Sequence, residues 1–446
     1  MANRALEMAD IARHLVWARW RWQRLRGAAL ERYQERLAQR LVAYVNEHAP
    51  FYRDHWRGHE LSDWRRLPTI DKQLMMANFD TFNTYGVSGE QAMQLALEAE
   101  RRRDFTPTLQ GLTVGLSSGT SGHRGLFLVS PAEQRAWAGT ILARTLHRLR
   151  WQPTKVAFFL RSNSNLYQQV GGRLVQFRYF DLMLPIEQAV RELNVFQPDL
   201  LIGPPSLLGL LAQAPNLAIA PERLISVAEV LEPQDRSALV ERFGAPVHQI
   251  YQCTEGLLAA SCSHGALHVQ EDLVVIQAEP LPGDPNRIQP IVTDLWRRAQ
   301  PIVRYRLNDI LTFDPQPCPC GSPFRVIARI EGRSDDVCTF LSRDGQPRPI
   351  FPDLIRRMVL LASDAIREYQ AIQQRPGHLR LHIELAPQAD WNAVSDALQR
   401  SVTLSLAQYD CVIDALELQQ GLPERAPDVK RRRVRVERHP FAATTS

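Results

Sequence analysis

The sequence has no long apolar run. No stretch approaches the roughly 18 consecutive apolar residues that a membrane-spanning helix requires. Residues 1–27 carry arginine and tryptophan throughout, and they contain neither an apolar signal core nor a small-residue cleavage site. We therefore expect a cytoplasmic protein that has no membrane as a partner.

Cysteine is scarce, with 6 residues in a chain of 446. This number is too small for a disulfide framework in a long intracellular protein. The cysteines are therefore expected to be reduced thiols or metal ligands. No internal repeat or low-complexity segment is evident either.

The composition is that of a soluble globular protein with two or three domains. Hydrophobic residues make up 45% of the chain, charged residues make up 23%, and 30 residues are proline. The formal charge of +5 is a mild bias that concentrates in the N-terminal segment and in the basic tract 430–439. Such tracts are usually solvated faces, and no recognition fold accompanies them, so we predict no nucleic-acid partner.

Periodicity predicts an N-terminal helical segment over 1–49 followed by an α/β domain. Apolar residues at three- and four-residue spacing indicate an amphipathic helix over 30–45. From about Thr113, short apolar strands alternate with helices, a pattern that is typical of an α/β fold with mixed sheets. Residues 130–133 are typical of a helix N-terminus with a capping box.

The pattern changes again after a charged turn at 331–337. The segment beyond it combines strand patterns with a helix that begins near Trp391, which predicts a small α+β domain. We therefore predict a large α/β domain over 1–332 and a small C-terminal domain over 333–446.

The densest cluster of glycine and hydroxyl residues lies between Leu116 and Gly125. Glycines let the backbone turn its N–H groups inward as an anion-binding nest, and hydroxyl side chains add donors that suit a polyphosphate. The spacing of a Walker-type loop is absent, which disfavours a P-loop NTPase. A solvated Ser/Gly turn is the alternative. The candidate residues are Ser117, Ser118, Gly119, Thr120, Ser121 and Gly122.

Further segments offer groups that ATP and a carboxylate would need. Tyr251, Thr254 and Glu255 end a predicted strand and supply an aromatic face, a hydroxyl and a carboxylate. Asp309 follows a strand-like run, and Arg333 precedes the predicted domain boundary. Each residue taken singly could belong to an ordinary turn or cap, but the ordered set favours a nucleotide site.

The ordered motifs resemble those of the ANL superfamily of adenylate-forming enzymes, in particular its phenylacetate-CoA ligase branch. They are SSGTSG at 117–122, Tyr-x-x-Thr-Glu at 251–255, Arg-Tyr-x-x-x-Asp at 304–309 and Gly-Arg-x-Asp-Asp at 332–336. The resemblance covers roughly residues 50–434. It implies a large multi-sheet adenylation domain with a small mobile lid. It also implies ATP-dependent activation of a carboxylic acid as acyl-adenylate, release of pyrophosphate, and transfer to a thiol or amine.

The resemblance also implies roles for the motif residues. The loop 118–122 would hold the β- and γ-phosphates of ATP. Tyr251 would lie against adenine, Thr254 would bond the α-phosphate, and Glu255 would hold Mg2+. Asp309 would accept hydrogen bonds from the ribose hydroxyls.

Three further positions are implied by the same comparison. Arg333 would fasten ribose or phosphate beside Asp309. Ala228 and Glu229 lie in a segment that resembles the adenine-flanking loop, for which a capped turn is the alternative. Lys430 is the best match to the catalytic lysine of the family's C-terminal domain, which places a cation on the attacking carboxylate and the α-phosphate. A solvated basic tail is the alternative there.

Two segments depart from the family pattern. The family's phosphate loop often continues with Pro-Lys, whereas this chain has His123, Arg124 and Gly125. Arg124 could supply the charge, although a guanidinium is not equivalent to an ammonium group. Residues 339–352 replace the glycine-containing strand that helps build the pantetheine tunnel. The acceptor therefore stays open between CoA, a carrier protein and an amine.

The cysteines include a candidate zinc site. Cys262, His268, Cys318 and Cys320 would complete a closed tetrahedral site that is structural, because no position is left for water. Some relatives in the phenylacetate-CoA ligase branch carry zinc with this ligand order. His264 is a rival imidazole, and unrelated reduced cysteines are the alternative.

Two other functions compete with adenylation. A non-catalytic nucleotide-binding or scaffold protein would keep the motifs without the chemistry, and a zinc-stapled basic module would bind nucleic acid with a steep salt dependence. Arg161, Asn163 and Tyr167 are candidates for the acyl pocket, but they do not separate aromatic from fatty acids. The sequence leaves open whether the chain forms a homodimer.

Overall fold

The computed structural model describes residues 2–117, 125–146, 152–160, 175–182, 184–281, 284–424 and 432–437. No described helix combines the length and the apolar character of a membrane span. The following predicted residues lie outside the described part of the chain: Ser118, Gly119, Thr120, Ser121, Gly122, His123, Arg124, Arg161, Asn163, Tyr167 and Lys430.

The described helices begin with a long N-terminal pair and end with a long helix in the C-terminal part. They are α1 (Ala2–Arg24), α2 (Gly27–His48), α3 (Pro50–His55), α4 (Lys72–Ala77), α5 (Phe79–Phe82), α6 (Gly89–Arg102), α7 (Pro131–Thr145), α8 (Ile186–Phe196), α9 (Pro205–Gln213), α10 (Pro233–Phe243), α11 (Pro352–Leu360) and α12 (Trp391–Gln408). Short 3-10 turns occur at Leu61–Arg66 and Ser334–Asp336.

The described strands are mostly short. They are β1 (Thr108–Leu109), β2 (Leu112–Leu116), β3 (Leu126–Val129), β4 (Thr154–Leu160), β5 (Val175–Asp181), β6 (Leu200–Gly203), β7 (Arg223–Ser226), β8 (Val247–Cys253), β9 (Gly256–Ser261), β10 (Leu267–Val269) and β11 (Val274–Leu281). The later strands are β12 (Asp284–Asp294), β13 (Tyr305–Arg306), β14 (Asp309–Asp314), β15 (Val326–Arg333), β16 (Cys338–Ser342), β17 (Pro347–Ile350), β18 (Ile366–Arg375), β19 (His378–Leu385), β20 (Cys411–Val412), β21 (Ala415–Gln420) and β22 (Val434–Val436).

The main sheet of the described chain is mixed. Its 12 strands follow the order β11-β12-β14-β15-β10-β9-β8-β7-β6-β4-β5, with β13 paired to β12. Strands β5, β4, β6, β7 and β8 pair in parallel, and the rest of the sheet is antiparallel. A smaller antiparallel sheet, β1-β2-β3, lies apart from it. The predicted α/β class with several sheets is therefore confirmed.

Local signals placed several helices correctly. The Ser130 hydroxyl accepts a bond from the Glu133 N–H at 3.3 Å, and Glu133 Oε2 accepts one from the Ser130 N–H at 2.7 Å, so the predicted capping box starts α7. The amphipathic helix predicted over 30–45 is α2, which buries Leu41 and Val45 against the main core. The apolar face of α2 is therefore buried, as the spacing of its residues predicted.

Helix α1 is held by buried charges. The Arg21 Nε donates to Asp272 Oδ2 at 2.8 Å, and the Arg144 Nη2 from α7 donates to the same atom at 3.0 Å. Asp272 is fully buried, so two guanidinium groups offset the cost of burying one carboxylate. This contact fixes the N-terminal helix beside the antiparallel part of the main sheet.

The described residues from 338 onwards form what we call the C-terminal unit, and the described residues before them form the large unit. The C-terminal unit has two sheets, β17-β16-β20 and β21-β19-β18-β22, and a separate apolar core. Strand β19 alternates as predicted, since it buries Leu379, Leu381 and Ile383. The separate core agrees with a boundary near 333–336, which stays a prediction.

Candidate nucleotide site and metal centre

The parallel strands end at one edge of the main sheet. Because ligands in open α/β sheets bind outside the carboxyl ends of the strands, this edge is the expected place for a site. A cavity of about 210 Å3 lies there, beside the ends of β7 and β8. Its walls come from both units: Ser226, Ala228, Glu229, Tyr251, Asp309 and Arg333 from the large unit, and Arg356, Tyr369, Arg432 and Arg433 from the C-terminal unit.

Tyr251, Asp309 and Arg333 lie together in one wall of the cavity. The Tyr251 hydroxyl donates to Asp309 Oδ2, and the Arg333 Nε lies 4.0 Å from Asp309 Oδ1. Asp309 and Arg333 are direct partners across the β14–β15 pair, which explains why residues so far apart in sequence meet. Burial raises the pKa of Tyr251 well above its usual value, and the charge of Asp309 raises it further, so the phenol stays a donor.

Thr254 and Glu255 form the tight turn between β8 and β9. The Thr254 hydroxyl donates to Glu255 Oε2 at 2.9 Å, and Glu255 is buried. Gly256 follows with a φ of +156°, and a Cβ there would lie 2.8 Å from Asp294 Oδ2. Glycine is therefore required for this turn to pack against the strand behind it.

Lys72 is a candidate site residue that the sequence analysis missed. Its Nζ donates to Ser117 Oγ at 3.2 Å, and the same oxygen accepts from the Gly125 N–H at 2.7 Å. Burial lowers the pKa of Lys72, whereas the negative charge of Glu255 raises it. A half-buried ammonium group thus lies between the base of the glycine loop and the buried carboxylate.

A signal for Lys72 was present in the composition. Basic side chains in this chain are almost all arginine, and the other lysines are Lys155 and Lys430. The lysine ammonium is a compact point charge, so a lysine among so many arginines suits a confined site for an anion. Its position at the start of α4, next to the N-cap Asp71, gave no indication of the glycine loop.

Arg297 ties the two sides of the site together. It donates to the Thr254 carbonyl and, from Nη2, to the Leu128 carbonyl at 3.1 Å. Gln300 accepts from the Leu128 N–H at 2.8 Å and is buried. Strand β3, which follows the glycine loop, is therefore held in register with the Thr254 turn.

Ala228 and Glu229 lie in the cavity wall. Ala228 has a φ of +69°, a left-handed conformation that costs a non-glycine residue on the order of 1 kcal/mol. Glu229 accepts a hydrogen bond from the Ser206 N–H at 3.3 Å, which joins this loop to the start of α9. Strain of this kind often marks a position that a ligand approaches.

Charged pairs between residues in the cavity wall join the two units. The Arg356 Nη1 donates to Glu232 Oε2, and the Arg433 Nη1 lies 3.1 Å from Asp235 Oδ2 and 3.8 Å from Glu232 Oε1. We call Glu232, Asp235, Arg356 and Arg433 the latch. Arg433 also binds Glu368 of its own unit at 2.7 Å, so the latch is anchored in the β18–β19 sheet.

Four side chains converge on a second site, beside the β9–β10 hairpin. Cys262 Sγ lies 3.7 Å from Cys318 Sγ, and Cys320 Sγ lies 3.4 Å from His268 Nε2. All four candidate ligand atoms lie within 4.8 Å of one another. Tetrahedral zinc with Zn–S of about 2.3 Å and Zn–N of about 2.0 Å requires S–S and S–N distances of about 3.8 and 3.5 Å, so the group fits this metal.

The imidazole of His268 is oriented for this arrangement. Its Nδ1 donates to the Phe324 carbonyl at 2.7 Å, which leaves Nε2 free of a proton and directed at the thiols. Trp22 of α1 packs edge-on against the ring, with centroids 5.2 Å apart. The rival His264 lies on the surface next to Ser263 and is not among the four converging residues.

Comparison with known proteins finds curated relatives of similar length. A phenylacetate-coenzyme A ligase of Thermus thermophilus is 24% identical over 387 residues, which cover 78% of this chain and 79% of the relative. A phenylacetate-coenzyme A ligase of Escherichia coli is 23% identical over 391 residues, covering 79% and 82%. No family model matches the chain.

Solved structures share the fold. A 2-hydroxyisobutyryl-CoA ligase in its postadenylation state, in complex with 2-HIB-AMP, has a TM-score of 0.71 at 20% identity, covering 94% of this chain and 92% of the ligase. The same ligase in its thioesterification state has a TM-score of 0.55 at 20% identity, covering 95% and 93%.

The chain shares its fold with a 2-hydroxyisobutyryl-CoA ligase, and the motif residues Tyr251, Asp309 and Arg333 line the cavity at the carboxyl edge of the parallel strands. The relatives confirm the resemblance to the ANL superfamily and its phenylacetate-CoA ligase branch that the four motifs predicted.

Proposed function

We propose that the protein activates a carboxylic acid with ATP, forming an acyl-adenylate and pyrophosphate, and then transfers the acyl group to a thiol or an amine. One observation carries the proposal. Groups suited to a nucleoside and groups suited to polyphosphate meet at one sheet edge, since Tyr251, Asp309 and Arg333 adjoin the turn of Thr254 and Glu255. The acid and the acceptor are open, with CoA, a carrier protein and an amine as candidates.

The nucleoside lies in the cavity. Tyr251 packs against adenine, and the loop of Ala228 and Glu229 flanks it. Asp309 accepts hydrogen bonds from the ribose hydroxyls. Arg333 lies next to that carboxylate and steadies its orientation.

The phosphates extend from the cavity towards Ser117 and Lys72. The loop 118–122 binds the β- and γ-phosphates, and Arg124 and Lys72 place positive charge beside them. Thr254 donates to the α-phosphate, and Glu255 holds Mg2+, which supplies charge neutralisation when bound.

The attacking carboxylate needs a cation as charge moves onto the α-phosphate. We assign this role to Lys430, which precedes the latch residue Arg433 by three positions in the sequence. Rotation of the predicted C-terminal domain over 333–446, about Asp335, then replaces this lysine by the acceptor site.

Zinc has a structural role in this proposal. Cys262, His268, Cys318 and Cys320 would hold it as a closed site, with no position for a reacting ligand. The metal would join the β9–β10 hairpin to the loop that leads into β15.

Exchange of radioactive pyrophosphate into ATP, measured with a panel of aryl and aliphatic acids, tests the proposal. Acid-dependent exchange is expected. Glu255→Ala and Lys430→Ala should each abolish it, while Glu417→Ala, an exposed carboxylate of the C-terminal unit, should retain it. Nucleotide binding without exchange for any acid would contradict the proposal and favour a non-catalytic nucleotide-binding protein.

A further inference from the structure

Two residues with buried hydroxyl groups line the cavity, one from each unit. Ser226, at the end of β7, is 2% exposed, and Tyr369, on β18 of the C-terminal unit, is 1% exposed. Neither Ser226 Oγ nor Tyr369 Oη has a hydrogen-bond partner among the residues that the structure describes. A buried hydroxyl without a partner is costly, and such groups are rare in folded proteins.

The cavity is suited to an uncharged part of a ligand. Its described walls do not include Lys72, Ser117, Thr254 or Glu255, so the groups proposed for the phosphates lie beyond it. The guanidinium groups in its walls are already paired with carboxylates: Arg333 with Asp309, Arg356 with Glu232, Arg432 with Asp336, and Arg433 with Glu368. A nucleoside fits this balance better than a phosphate does.

Tyr369 is held as a neutral hydroxyl. Burial raises the pKa of Tyr369 above its ordinary value, and the nearby Glu232 and Glu368 raise it while Arg356 and Arg433 lower it. The phenol therefore keeps its proton at neutral pH and can donate as well as accept. Ser226 has the same two capacities, which match the amine and ring nitrogens of a purine and the hydroxyls of ribose.

We propose that Ser226 and Tyr369 hydrogen-bond the nucleoside moiety of the bound nucleotide, one from each unit. The inference rests on the proposed function and adds that the C-terminal unit takes part in nucleoside recognition. A ligand that contacts both units binds best when Ser226 and Tyr369 line the same cavity, and it binds less well to arrangements of the two units that separate them. Nucleoside binding therefore shifts the population towards it.

The chain offers a matched control. Ser395 Oγ, on α12, is also buried without a hydrogen-bond partner among the described residues, and Ser395 does not line the cavity. Removing this hydroxyl should be neutral or slightly stabilising, because an unsatisfied polar group disappears. The same is expected of Ser226→Ala and Tyr369→Phe in the free protein, so loss of the fold is not expected to obscure the result.

Titration calorimetry of the full chain with adenosine and with ATP tests the proposal. Ser226→Ala and Tyr369→Phe are each expected to weaken both ligands by about 5- to 30-fold, the loss of one hydrogen bond, while Ser395→Ala binds like the parent. Melting temperatures of the free variants should equal or exceed that of the parent.

Other outcomes separate this inference from the function on which it rests. If the parent binds neither adenosine nor ATP, the proposed function itself fails. If the parent binds both and the two cavity variants bind equally well, only the present inference is overturned. Weakening of ATP alone would assign the hydroxyls to the phosphates, and weakening by one variant alone would show that the nucleoside does not bridge the two units; either result overturns the proposal.

Discussion

The latch between the two units allows a quantitative test. Glu232 is 7% exposed, and its main partner, Arg356, has a side chain that is 15% exposed. Burial raises the pKa of Glu232, and the charges of Arg356 and Arg433 lower it. The pKa is raised overall, so desolvation destabilises the ionised carboxylate more than its partners stabilise it. Such a pair adds little net stability but penalises any arrangement that leaves one charge buried alone.

A double-mutant cycle with Glu232→Gln and Arg356→Met measures this penalty. Removing one partner of a buried pair costs about 3–5 kcal/mol in general. Glu232 keeps Arg433 at 3.8 Å, so we expect about 2–3 kcal/mol for Arg356→Met. The double variant removes both charges and should recover most of the loss, giving a coupling of about 2 kcal/mol in the free energy of unfolding.

Urea unfolding of the four proteins provides the assay, and Arg380 and Glu417 provide a control pair. The Arg380 Nε lies 2.6 Å from Glu417 Oε2, so this is also a direct ion pair. Its side chains are 29% and 47% exposed, so the coupling should stay below about 1 kcal/mol. Equal coupling for both pairs, or a double variant at 232 and 356 that loses the full sum of the single losses, would refute the reasoning.

Three further predictions concern the candidate sites. Lys72→Met should lower kcat/KM for ATP in pyrophosphate exchange by about 10- to 100-fold, whereas Lys155→Met, on β4, should not; equal effects would remove Lys72 from the site. Metal analysis should find zinc bound, and Cys320→Ser should lose it while Cys411→Ser, in the C-terminal core, keeps it; retention by Cys320→Ser would contradict the ligand set. Burial raises the pKa of Asp294 from 3.8 to about 6, so its stabilising contribution is lost as the pH rises between these values. Asp294→Asn should remove about 3 kcal/mol of the pH dependence of the free energy of unfolding, as measured in urea. Identical pH profiles for the variant and the parent would exclude this role of Asp294.

The fold was largely predictable because its signals are local. The capping box at Ser130 and Glu133 involves residues three apart, and the alternation in β19 involves successive residues, so each could be recognised without tertiary contacts. The order of the four motifs carried the resemblance in the same way. Motif spacing along a chain survives in the sequence even where identity to relatives falls to 24%.

The candidate sites were predictable only in part. The motif residues Tyr251, Asp309 and Arg333 were named from the sequence, and the structure brings them together. Lys72 was not, because it lies 45 residues before Ser117 and belongs to no motif. Spacing also could not choose between His264 and His268, which the pairing of β10 with β9 and β15 decides by turning His268 towards the thiols.

By itself the sequence determined the α/β class, the motif set and the candidate chemistry, because these depend on residue types and short periodicities. Only the tertiary structure decided which groups share a cavity. Ser226 and Tyr369 both line it because a β-strand from each unit ends or passes there. The latch residues meet because the start of α10 in the large unit lies against α11 and Arg433 of the C-terminal unit. Contacts of this kind depend on how distant elements pack, and short sequence patterns do not determine that packing.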